Sequence, residues 1–102
     1  MINQIINGVV LNEQVTLTLS DLSRACTCNA QWIVELVEEG ILEPQGIEPR
    51  EWRFSSENLG RAHKAMRLQR DLEVNIAGIA LILNLMDQLD SLQSRLQRHE
   101  NS

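Results

Sequence analysis

Residues 29–44 read NAQWIVELVEEGILEP, and this stretch predicts a short helix with a defined start, a defined stop and an acidic exposed side. Asn29 is a preferred N-cap, whose side-chain oxygen takes up an orphan amide of the first turn. Ile33, Leu36 and Val37 recur at three- and four-residue spacing and predict a buried stripe. Gly40 then supplies the left-handed conformation that ends a helix, and Pro44 prevents a restart. What stays exposed carries Glu35, Glu38 and Glu39, with Glu43 just beyond, so the face this helix offers a partner is acidic. Trp32 has two readings: an interface anchor at the edge of that face, or a core or edge residue of the domain.

Upstream, Thr18-Leu19-Ser20-Asp21 fits a capping box, and a short helix running to about Cys26 follows, with Leu19, Leu22 and Ala25 or Cys26 on its buried side. Thr27-Cys28 turns the chain into the helix above, which makes a helix-turn-helix. Farther upstream, β-branched residues in 3–17 cluster on either side of Asn12-Glu13-Gln14, a hairpin or paired-strand signal. Downstream, a loop containing Gly46 and Pro49 leads to Trp52-Arg53-Phe54, whose alternation predicts a small two-stranded wing with Trp52 and Phe54 inward. Ser55 caps the next helix. Leu59, Ala62, Met66 and Leu72 form its expected buried stripe, and Arg61, Lys64, Arg67 and Arg70 fall mainly on its solvent side.

A last helix is expected from about Asn75 to near the C-terminus, with two apolar seams. Ile76, Ile79, Ala80, Leu83 and Met86 suit covering the domain. Ile82, Leu85, Leu89, Leu92 and Leu96 follow the alternating three–four spacing of a coiled-coil seam, and pairing with a second copy would cover them. The other reading folds this tail back onto its own domain. The expected fold is therefore mainly α: a winged helix-turn-helix unit over 1–74, with a small β-wing and N-terminal strands. A long helix over 75–102 packs on it and dimerises as a coiled coil.

The length of 102 residues suits one domain. Fourteen acids against nine bases give a formal charge of −5, which argues against a dedicated nucleic-acid binder. The sign is segregated: residues 1–48 hold seven acids against Arg24 alone, and residues 50–70 hold six bases against Glu51 and Glu57. Cys26 and Cys28 have no second cysteine pair to complete a zinc site and read as reduced, small apolar residues of a cytosolic protein. The N-terminus lacks signal-peptide character, and no apolar run reaches the length of a membrane span. His63 and His99 are not spaced against a nucleophile, Glu38 and Glu39 point apart as neighbours on a helix, and phosphate-cradling loops are missing. No enzyme, metal or cofactor is expected.

In this order the pieces resemble the DNA-binding half of the MerR regulators: the capped helix at Thr18 to Asp21, Gly40-Ile41-Leu42-Glu43-Pro44 after the second helix, the wing, Ser55-Ser56-Glu57-Asn58-Leu59, and the seam Ile82 to Leu96. The arginine and tyrosines with which that family's second helix grips phosphates are replaced by Val34-Glu35-Leu36, and the wing arginine by Trp52. Over nearly the full length the chain more closely resembles the CbpM family of chaperone modulators. The shared marks are the acidic second helix, the Trp-x-Phe of the wing, Ala65 to Leu72, and Gly78-Ile79-Ala80 followed by Leu85-Met86-Asp87.

That resemblance implies a non-enzymatic inhibitor that binds the J-domain of CbpA, a DnaJ-type co-chaperone, and keeps it from stimulating DnaK. An acidic surface covering the basic helix with which a J-domain docks on DnaK would compete directly, with Glu35, Glu38, Glu39 and Glu43 supplying charge and Trp32 an anchor. The long helix or the N-terminal segment could hold the contact instead. The alternative is a DNA-binding regulator using Arg50, Arg53, Arg61, Lys64, Arg67 and Arg70 on phosphates, against which the acidic second helix stands. A third reading is an assembly module acting through its coiled coil alone.

Overall fold

A computed structural model of the chain describes residues 4–6, 9–11 and 16–100, the first two stretches as backbone. The order of elements is β1 (Gln4–Ile6), β2 (Val9–Leu11), α1 (Leu19–Ala25), α2 (Ala30–Glu38), a 3₁₀ turn (Pro49–Glu51), α3 (Ser56–Leu72) and α4 (Ile76–Glu100). The chain is mainly helical, as its periodicity predicts. Each helix start is set by a side chain. Thr18 and Asp21 close the capping box reciprocally at 3.1 Å in both directions, Asn29 accepts the Trp32 amide at 2.8 Å, Ser55 accepts the Asn58 amide at 3.2 Å, and Asn75 accepts the Gly78 amide at 2.8 Å. These bonds satisfy first-turn donors that have no partner inside the helix.

The α1–α2 connection is tighter than its composition suggests. Thr27 takes φ 54, left-handed backbone that a β-branched residue rarely adopts. The adjacent Cys28 amide returns to the Ser23 carbonyl at 3.0 Å, and that bond helps hold the turn. Gly40 ends α2 with φ +76, as expected. The Ile41 and Leu42 amides both reach back to the Leu36 carbonyl, so the two side chains turn inward and are buried.

Three expectations need correction. The hairpin forms by antiparallel pairing of Gln4 with Leu11 and Ile6 with Val9, ahead of the break at Asn12-Glu13-Gln14. In sequence the pair between the strands is Asn7-Gly8, the composition two-residue hairpin connections favour. Both that pair and the 12–14 break lie outside the described residues. The wing is not a pair of strands but two isolated bridges, Gln45 with Arg53 and Leu17 with Phe54. Gly46 at φ +109 and the 3₁₀ turn bend the chain away after one bridged pair, and Leu17 fills the remaining edge. Finally, the buried side of α3 ends at Ala65, and Leu72 is 65% exposed, because α3 runs about two turns past its last buried residue before Glu73 caps it at φ 54.

The core gathers around Phe54, Leu22, Ile33, Leu36, Leu59 and Ile79, all fully buried, with the Trp52 ring edge-on to Phe54 at 6.0 Å and 83°. From α4 it takes Ile79 and Leu83, while Met86, expected to join them, is 40% exposed. Residues 84–100 of α4 are exposed throughout.

The capping box generates a first prediction. Thr18→Ala should lower stability by about 1 kcal/mol in urea titrations. The Asp21 carboxyl is held below its ordinary value of 3.8, chiefly by the Thr18 amide, with the Thr18 hydroxyl and Arg24 adding to it. A folded-state pKa below the unfolded one gives stability that is present above the unfolded value and lost as pH falls through the folded one. The stability advantage of the wild type over Asp21→Asn should therefore shrink as pH drops below about 4.

Candidate functional site

The acidic face follows from the register of α2. With the core on the side of Ile33 and Leu36, positions 35, 38 and 39, with 35 three and four residues from the other two, lie toward the outer side. Glu38, Glu39 and Glu43 are exposed and Glu35 is half-buried. None of the four belongs to an ion pair among the described residues, where the pairs are Arg24–Asp21, Arg50–Glu48, Arg61–Asp87 and Arg70–Asp71. Their charge is uncompensated.

Two α3 side chains fix the end of this surface. Asn58, itself held by Ser55, accepts the Glu43 amide at 3.1 Å and donates to the Glu43 carbonyl at 3.3 Å, so the backbone under the Glu43 carboxylate is clamped from both sides. Arg61 donates through Nε to the Ile41 carbonyl at 2.9 Å and through Nη1 to Asp87 at 2.9 Å. It is 27% exposed and belongs to the frame, contrary to its expected place on the basic solvent side. A cavity of about 320 Å³ opens beside these groups, lined by Gly40, Glu43, Ser55, Glu57, Arg61 and Asp87. Glu57 and Asp87 thus join Glu43 in an acidic rim that sequence reading missed. Glu57 could have been suspected from its place in the Ser-x-Glu start of α3. Asp87, on a different helix, gave no signal.

Trp32 is half-buried and packs against the core, so both of its readings apply to part of the ring. Its Nε1 is buried with no hydrogen-bond partner, an unusual state for an indole. The ring lines an open cleft of about 800 Å³ shared with Arg24, Thr27, Cys28 and Gln69. The Cys26 thiol beside it is pushed up to about 12 by burial and by its proximity to Cys28, and burial raises Cys28 as well, so both stay protonated and poorly nucleophilic at neutral pH. Burial lowers His63, and the nearby Arg67 adds to the effect. Among the described residues no His, Cys, Asp and Glu side chains gather in a group able to hold a metal, and no helix is long and apolar enough to cross a membrane. What these surfaces can do is recognise charge and apolar surface.

The expected pairing seam lies along α4. Ile82 is half-buried at the edge of the domain, and Leu85, Leu89, Leu92 and Leu96 are 50%, 57%, 53% and 62% exposed.

Comparison with known proteins agrees with the architecture. Residues 17–101 match the MerR HTH family of regulatory proteins. The chain is 38% identical to the chaperone modulatory protein CbpM of Coxiella burnetii, over 99% of this chain and 98% of that one. Identity to the CbpM proteins of Pseudomonas entomophila and Pseudomonas putida is 35% and 36%, each over 78% of this chain and 79% of the relative.

The orphaned indole gives a test that separates packing from polarity. Trp32→Phe keeps an aromatic ring and removes a buried, unpaired donor, so the unfolding free energy should stay the same or rise, by up to about 1 kcal/mol. Trp32→Ala should lose on the order of 2–3 kcal/mol through lost packing. A loss in the Phe variant as large as that in Ala would mean that the N–H is satisfied in solution.

Proposed function

The chain belongs to the MerR HTH regulatory family and, within it, to the CbpM chaperone modulators, and from that premise we propose that it is a non-enzymatic inhibitor of a DnaJ-type co-chaperone of the CbpA kind. It acts by binding the J-domain through the acidic end of α2, covering the basic helix that would otherwise dock on DnaK. The observation that carries this reading is that Glu38, Glu39 and Glu43 are exposed and that they and Glu35 have no ion-pair partner among the described residues. Unpaired carboxylates repel one another and cost stability in the free protein, and a basic partner relieves that cost while charge attraction speeds encounter. In this reading the partly exposed Trp32, at the start of α2, supplies apolar area.

The alternative, a DNA-binding regulator, needs the bases of the wing and α3 on phosphates. Arg61 is committed to Ile41 and Asp87, which weakens that reading, and α2 would bring carboxylates toward the backbone. For α4 we propose pairing with a second copy along Ile82, Leu85, Leu89, Leu92 and Leu96, so that residues 1–74 work as a head unit and 75–102 as the dimerising helix. Fully burying leucines of this kind is worth roughly 1.5–3 kcal/mol each.

Calorimetric titration with an isolated CbpA-type J-domain tests the inhibitor reading. Binding should be saturable, weaken with added salt, and fall by about tenfold or more in Glu38→Lys/Glu39→Lys, mostly through slower association. Binding indifferent to this reversal would move the site off α2, and no binding at low salt would end the proposal. Leu89→Glu/Leu92→Glu should sediment as a monomer at concentrations where the wild type is dimeric. A wild type that stays monomeric at about 100 μM would remove the dimer.

A further inference from the structure

A second surface, opposite in sign to the first, lies between the later part of α3 and the middle of α4. Lys64, Arg67, Leu68, Asp71 and Leu72 follow the i, i+3, i+4, i+7, i+8 spacing of one helix face, and with Met86 of α4 they line an open groove of about 410 Å³. The floor is apolar: Leu68 is half-buried against the core, Leu72 is 65% exposed and Met86 is 40% exposed. The rim is basic. Lys64 and Arg67 are exposed and belong to no ion pair among the described residues, while the one acid on the rim, Asp71, is engaged by Arg70 at 3.0 Å.

We propose that this groove is the docking site for an acidic amphipathic helix of a partner protein, a site separate from the acidic α2 surface and independent of the J-domain reading. A trough between two helices accepts a third by seating its apolar ridge between them, which a helix with apolar residues at i, i+4 and i+7 provides. Carboxylates flanking that ridge would meet Lys64 and Arg67. A second copy of α4 answers this chemistry poorly. The residues bordering its leucine seam are Leu81, Gln88 and Arg95 on one side and Met86, Gln93 and Glu100 on the other, which offer a single carboxylate at the far tip. A nucleic acid would answer the cations and leave Leu72 and Met86 wet.

The probe is a synthetic helical peptide of about 15 residues, with leucines at i, i+4 and i+7 and glutamates on its other positions, titrated into the isotopically labelled full chain. Expected are saturable shifts of the Leu68, Leu72 and Met86 methyl resonances. The His63 titration should move to higher pH as bound carboxylates offset Arg67. Affinity should fall by about tenfold or more in Lys64→Glu/Arg67→Glu, with circular dichroism showing the fold retained. The same peptide with lysines in place of glutamates should not bind, and saturating J-domain should not displace the acidic one.

Any one of several outcomes overturns the proposal. They are no saturable shifts, affinity unchanged by the double reversal, displacement by the J-domain, or Leu68 and Leu72 methyls that shift on raising the concentration of the chain alone, which would make the occupant a second copy. A DNA duplex that moves the Arg67 side chain while the acidic peptide moves nothing would assign the cations to phosphates and end it as well.

Discussion

One guanidinium joins three helices. Arg61, in the middle of α3, donates to the Ile41 carbonyl just past the end of α2 and to Asp87 on α4. The need for it starts at Gly40. Its left-handed turn sends the Ile41 and Leu42 amides back to Leu36 and leaves the Ile41 carbonyl pointing toward α3. That carbonyl must find a donor, and the planar fork of an arginine can serve it and a carboxylate at once, which a lysine's single ammonium cannot do with the same fixed geometry. This side chain thus ties the exit of α2 and the middle of α4 to α3, beside the core contacts of Ile33, Leu36, Ile79 and Leu83. The Asn58 clamp on Glu43 then sets the acidic surface against the same helix.

Local chemistry was legible in the sequence because local bonds make it. Thr18 with Asp21, Asn29, Gly40 and Ser55 each act within four residues, and each sits where its type predicts. Trp52 and Phe54 were legible as core because a chain with three aromatic residues has little else of that bulk. What escaped depends on contacts distant in sequence. Arg61 looks like its neighbours Lys64 and Arg67 until Asp87, twenty-six residues on, is brought beside it. Leu72 and Met86 fit apolar stripes by periodicity, but periodicity says which side a residue faces and not whether the domain reaches that far. The wing failed as strands because one bridged pair, not a ladder, is all that Gly46 and the 3₁₀ turn permit. Of the candidate site, the clustering of Glu35, Glu38 and Glu39 could be read from spacing and Glu57 suspected from the start of α3, whereas the contribution of Asp87, on a different helix, could not.

The frame is that of a helix-turn-helix regulator, yet the exposed chemistry of its second helix is inverted. In such a fold the second helix is rigid, capped at its start and projects from the core, and these properties do not depend on what it presents. Replacing bases by acids on the outer positions leaves Ile33 and Leu36 untouched, so the core does not register the change. A scaffold made for a polyanion can thereby present a preformed acidic ridge to a polycation at no cost in packing. The partition of charge along the chain fits this economy, since acids gather in the first half and the bases that α3 does not use in its frame remain around the groove.

The free half of α4 sets a further constraint. Beyond Asp87, which still pairs with Arg61, residues 88–100 are exposed throughout, and Ser91 and Ser94 are weak helix formers. Isolated helices of roughly this length are marginal in water, so this segment draws little stability from itself. What continues it is the turn already formed at Ile79 to Leu83, which removes the nucleation cost, together with whatever covers Leu85, Leu89, Leu92 and Leu96. Under the pairing proposed above, helix order and occupancy of the seam would be one linked equilibrium, in which a second copy binding the ordered helix stabilises it by mass action and fraying of the tip weakens the association equally. The groove at Met86 lies at the root of this segment, on the last turn that the domain itself holds. Its floor therefore depends on the folded domain more than on the tip, and Met86, which borders the leucine seam as well, is where the two surfaces of α4 meet.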